Sequence, residues 1–116
     1  METCNIPEDQ WTKFFDHLNH DQAGWSATIR VLHGQYGPQN IAMGLPCQGI
    51  SLDTKGTRPS SVQVSAGNRA GNHVNDVVDL PFHIRQTEEL DGSIDVQIEP
   101  ANGPVTLIHL HDGPVH

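Results

Sequence analysis

A chain of 116 residues is one domain's worth of polypeptide, long enough to bury about two thirds of its unfolded surface around one core and too short for a multi-domain enzyme, a large barrel or a solenoid. Six Lys+Arg against fourteen Asp+Glu leave a formal net charge of -8; nucleic-acid affinity draws on basic side chains that neutralise phosphates, so neither nucleic acid nor an anionic membrane is an expected partner. No stretch approaches the roughly 20 apolar residues of a membrane span, and METCNIPEDQ at the start has no basic and apolar leader pattern, which makes a soluble cytoplasmic protein the expectation.

Residues 1–6 read as an N-terminal tail. A helix is predicted over 7–20, with Pro7 in its first turn and Glu8 and Asp9 at the positive end of its dipole. Trp11, Phe14, Phe15 and Leu18 recur at i, i+3, i+4 and i+7, one apolar stripe. Such a stripe must be covered, and the default is a lid on a sheet.

From Trp25 the period changes to two. Trp25, Ala27, Ile29 and Val31 alternate with polar positions, a strand with one apolar face. A second extended stretch, 40–52, is interrupted at Gly44 and Pro46, which implies a bend, a bulge or an edge position. A third strand covers 61–66, and residues 67–72 form a glycine-containing loop in which Arg69 is an anion-contact candidate. A further extended segment runs from 73 to 87, with Val78, Leu80, Phe82 and Ile84 expected inward. Pro81 makes it an edge, a bend or two shorter strands. The last strands cover 93–99 and 105–111, and residues 112–116 read as a C-terminal tail.

Asp91-Gly92 and Asn102-Gly103 are hairpin signals. Three-residue loops at both places set Ile84 opposite Ile98, Ile94 opposite Leu110, Val96 opposite Ile108 and Ile98 opposite Thr106. A two-residue Asn-Gly loop would set Val96 opposite His109, and a slip of one residue turns every side chain to the other face. With three-residue loops, Arg85 lies outward opposite Gln97, Gln97 opposite Leu107, and Asp95 opposite His109. The predicted fold is α+β and mainly β: a single domain in which the helix precedes an antiparallel meander of five or six strands over 25–111, curled into a small SH3-like or Sm-like barrel. A flatter helix-on-sheet fold is the alternative.

Candidate chemistry is sparse. His109, His111 and Asp95, with Asp112 nearby, place two imidazoles and a carboxylate on one strand face, the donor set of an open three-ligand site for a divalent metal. His17 and His20 lie on the helix beside Asp16 and Asp21. Cys4 and Cys47 show no CxxC spacing, so free thiols are expected, Cys47 as a small buried or half-buried residue. No nucleophile elbow or P-loop is present.

Three stretches carry a resemblance: the tryptophan-bearing helix from Ile6-Pro7 to Leu18, Gly44-Leu45-Pro46-Cys47-Gln48-Gly49-Ile50-Ser51-Leu52-Asp53, and Pro81-Phe82-His83-Ile84-Arg85. With them most of the chain resembles a family of small stand-alone prokaryotic proteins of unknown function. The resemblance implies a bacterial, cytosolic, single-domain protein and transfers no functional residues. The resulting expectation is a small non-enzymatic binding or accessory module. Val105 and Leu107 on the outer sheet face offer a surface for a protein partner or a homo-oligomer. The alternative is a metal-binding protein or metal-dependent enzyme using Asp95, His109 and His111. A nucleic-acid-binding Sm-like protein is the third reading, opposed by the charge.

Overall fold

A computed structural model describes residues 2–22, 25–33, 37–55, 58–67 and 73–112. Strand β1 (Glu2–Ile6) leads through a single 3-10 turn (Glu8–Gln10) into helix α1 (Trp11–Asp21). Seven strands follow: β2 (Ser26–His33), β3 (Gly37–Lys55), β4 (Arg58–Gly67), β5 (His73–Asp79), β6 (Pro81–Glu88), β7 (Ile94–Pro100) and β8 (Val105–His111). They form one antiparallel sheet in the order β1-β6-β7-β8-β2-β3-β4-β5. Two meanders, β2 to β5 and β6 to β8, are joined where β8 pairs with β2. Among the described residues no helix is long and apolar enough to cross a membrane.

The core face follows the period-two pattern. Ala27, Ile29, Ile84, Val96, Ile98, Ile108 and Leu110 are buried together with Val62, Val64 and Ala66 of β4 and Val78 of β5. The observed register sets Ile94 against Leu110, Val96 against Ile108 and Ile98 against Thr106, with Ile84 against Ile98, as the three-residue loops require. Gly92 (φ 89°) and Gly103 (φ 114°) supply the left-handed position in each loop.

Helix α1 closes one end of this core. Trp11, Phe15 and Leu18 are buried and Phe14 is partly buried against them. The Trp11 indole N–H donates to the Ile6 carbonyl at 2.8 Å. Asn19 imitates a strand neighbour: its Nδ2 donates to the Ile50 carbonyl at 2.8 Å and its Oδ1 accepts from the Ile50 amide at 2.9 Å. Ile50 lies opposite Val64 of β4, and Asn19 satisfies its N–H and C=O on the other side of β3, where the pairing with β2 has ended.

β3 is the hinge of the sheet. Its first part pairs with β2 and its second with β4. The change of partner coincides with irregular pairing and with Gly44 at φ 63°. The Gly44 amide is taken up by the Thr28 hydroxyl at 3.1 Å. The predicted interruption near Gly44 is therefore a bend that carries the chain from one layer to the other.

Four expectations are corrected. Residues 2–6 are not a tail, because β1 extends the ladder of β6, with Ile6 opposite Ile84 and Thr3 opposite Thr87. The sheet holds eight strands rather than five or six, and their spatial order is not a simple meander. It also does not close into a barrel: β1 and β5 are its outer strands. On β5 Asp76 turns inward, accepting a hydrogen bond from the Thr106 hydroxyl at 3.2 Å. An inward carboxyl on an edge strand ends backbone pairing there. Finally, Leu80 and Phe82 are 59% and 63% exposed rather than inward. Leu80 takes φ 50° in the turn between β5 and β6, and Phe82 is the extra residue of a bulge, unpaired between Pro81 and His83, so both leave the inward pattern that Val78 and Ile84 keep. Residues 113–116 of the expected C-terminal tail lie outside the described residues.

Two outcomes test this packing. Ile98, fully buried in β7, should cost about 2–5 kcal/mol as Ile98→Ala, read by urea unfolding. Burial raises the Asp76 carboxyl above the ordinary aspartate range, opposed in part by the Thr106 hydroxyl and the Val77 amide. The folded chain thus binds that proton more tightly than the unfolded one, and stability falls as pH rises between the two values. Asp76→Asn should raise Tm at pH 7, and its advantage should vanish below about pH 4.

Candidate functional site

The outer face of β1, β6, β7, β8 and β2 carries a trough of about 650 Å³. Its floor consists of two register rows. In one, Arg30 lies opposite Leu107, Leu107 opposite Gln97 and Gln97 opposite Arg85. In the other, Thr28 lies opposite His109, His109 opposite Asp95, Asp95 opposite Thr87 and Thr87 opposite Thr3. Glu89, at the base of the β6–β7 turn, closes one end.

The second row is internally bonded. His109 Nδ1 and Asp95 Oδ1 are 2.6 Å apart, and the Thr3 and Thr87 hydroxyls are 2.9 Å apart. An aspartate on Nδ1 fixes the orientation and tautomer of an imidazole and leaves Nε2 free to act. Hydrogen bonding to Asp95, followed by burial and by the charges of Asp95 and Asp91, raises the Glu89 carboxyl above the usual glutamate range, with His109 opposing. In the adjoining turn Asp91 is held low by the hydroxyl and amide of Ser93, bonds of 2.6 and 2.9 Å.

The first row is not bonded in this way. Among the described residues neither Arg30 nor Arg85 takes part in an ion pair. Nε of Arg85 is buried without a hydrogen-bond acceptor. Leaving a buried donor unpaired costs about 1–3 kcal/mol, an expense that a bound acceptor would remove.

The predicted trio is only partly assembled. Asp95 and His109 meet directly. The His111 ring lies 5.9 Å from that of His109, and its Nδ1 is 3.4 Å from the Asp112 carbonyl. Asp95 and His109 bond to each other, and among the described residues no group of three His, Cys, Asp or Glu side chains is placed to hold a metal ion. His17 and His20 are exposed on α1, and His20 pairs with Asp21 at 3.1 Å. Cys47 is half-buried, and burial pushes its thiol up, away from the reactive thiolate. The loop carrying Arg69 lies outside the described residues.

Arg30, Arg85, Glu89 and Thr3 were not singled out as site residues. Alternation alone turns Arg30 and Arg85 outward. Their membership of one row follows from the pairing of β2 with β8, which joins distant parts of the chain. Val105 and Leu107, expected on the outer surface, are both half-buried, and Leu107 is part of the trough floor.

Asp95→Ala removes both the hydrogen-bond partner and the charge by which Asp95 raises the Glu89 carboxyl. The Glu89 carboxyl should then fall back toward the ordinary glutamate range, read by carboxyl-carbon NMR across a pH titration; an unmoved Glu89 would disprove the coupling.

A protein of Aquifex aeolicus (strain VF5), described as uncharacterised, is 23% identical over 112 residues, covering 97% of this chain and 84% of its own length. No solved structure matches. The family model described as "Family of unknown function (DUF5335)" matches residues 2–114, and the chain belongs to that family.

Proposed function

We propose that the protein is a small non-enzymatic binding module and that its ligand, a small polar molecule, lies in the trough formed by β1, β6, β7, β8 and β2. The observation that carries this reading is the cavity itself. Its volume of about 650 Å³ falls among those of small-molecule sites, roughly 300–1,000 Å³, and side chains from five strands converge on it. Neither cysteine lines it, so no thiol nucleophile stands in the trough.

Leu107 is the side chain to alter, because enlarging it fills the floor without entering the core. The small-molecule filtrate of a cell extract should raise the Tm of the wild type by a few degrees. Leu107→Trp should fold, as judged by circular dichroism, and lose that rise. An equal rise in both proteins would place the ligand elsewhere and refute the reading.

A further inference from the structure

We propose that the trough recognises an oxyanion, a carboxylate or phosphate group of a small molecule, held between Arg30 and Arg85. This rests on the reading of the trough as a ligand site and names the chemistry of what enters it.

The argument begins with charge. The chain has only six Lys+Arg against fourteen Asp+Glu, yet two of those six line one cavity. Here neither takes part in an ion pair among the described residues, and Nε of Arg85 is shielded from water without an acceptor. A guanidinium offers five donors in a rigid fork that fits an oxyanion. Two guanidiniums line this cavity, and the buried Nε of Arg85 is a donor that an oxyanion there would satisfy.

Register supports the same reading. Arg30, Leu107, Gln97 and Arg85 form one row across β2, β8, β7 and β6, and no acid stands in it. The two arginines are three strand spacings apart, about 14 Å between backbones. Two long side chains can reach inward over Leu107 from that separation, with the Gln97 amide between them. The acids of the trough stand in the neighbouring row or at its end. Asp95 is engaged by His109, and Glu89, at the β6–β7 turn, stands outside the arginine row. Glu99, further along β7, is outside the lining. The arginine row therefore keeps its positive character.

The test uses isotope-labelled full-length protein and three probes: succinate, its neutral isostere succinamide, and inorganic phosphate. The backbone amides of Gln97 and Leu107 are followed by NMR. Succinate or phosphate should shift them saturably, and succinamide should not. Arg85→Ala should weaken the effective probe at least tenfold. Arg30→Ala, at an exposed position whose loss leaves the core intact, should weaken the effective probe as well, whether succinate or phosphate, and the probe that binds tells a carboxylate from a phosphate; affinity unchanged in Arg30→Ala would overturn the sharing of the anion between the two arginines. Equal shifts from succinamide and succinate, or unchanged affinity in both variants, would overturn the anion preference while leaving the trough a binding site. Silence from all three probes overturns it too. If the extract-dependent rise in Tm is also absent, the reading of the trough falls with it.

Discussion

The pairing of β8 with β2 is the contact on which the rest of the molecule depends. It is the only ladder that joins the two meanders among the described residues, running from Ser26 opposite His111 to Leu32 opposite Val105. The two ladders of β8 fix a single register for β7, β8 and β2. Because strand side chains alternate strictly, that register sends Ala27, Ile29, Val96, Ile98, Ile108 and Leu110 into the core. The same alternation builds the two polar rows of the trough. Core and candidate site are thus opposite faces of one constraint, and a slip of one residue would exchange them.

The open edges are managed by side chains rather than by closure. At β3, where the chain turns from one layer to the other, Asn19 of α1 supplies the donor and acceptor that a neighbouring strand would have supplied. At β5, Asp76 reaches Thr106 on β8, linking the layers without a backbone ladder. A half-buried carboxylate is an expensive link, since burial favours its neutral form. Its counterpart is specificity: an inward charge on an outer strand discourages edge-to-edge association.

In the trough, acid and base are sorted by row. Asp95 lies diagonally beside Arg85 in the register and bonds to His109 instead. That choice gives the carboxylate a partner in its own row and leaves the row of Arg85 without an acid. It also brings Glu89 under the influence of Asp95, which raises its carboxyl. A chain with a net charge of -8 therefore presents a local surface of a different character, and local arrangement rather than net charge governs what small ligand it can attract.

By itself the sequence determined the elements whose signals are local. The i, i+3, i+4, i+7 stripe identified α1 and its buried side chains, and the aliphatic alternation with the two Gly-containing turns set the register of β6, β7 and β8, including Asp95 opposite His109. Only the tertiary structure decided what depends on distant partners. Residues 2–6 carry no apolar alternation of their own and become a strand because β6 offers an unpaired edge. Leu80 and Phe82 fit an inward pattern that a turn and a bulge interrupt. Closure of the sheet is a property of its two outer strands, which no local pattern reports. The same holds for the trough: Arg30 and Arg85 share a row through the β2–β8 ladder, and periodicity states which face a residue occupies but not which strand lies beside it.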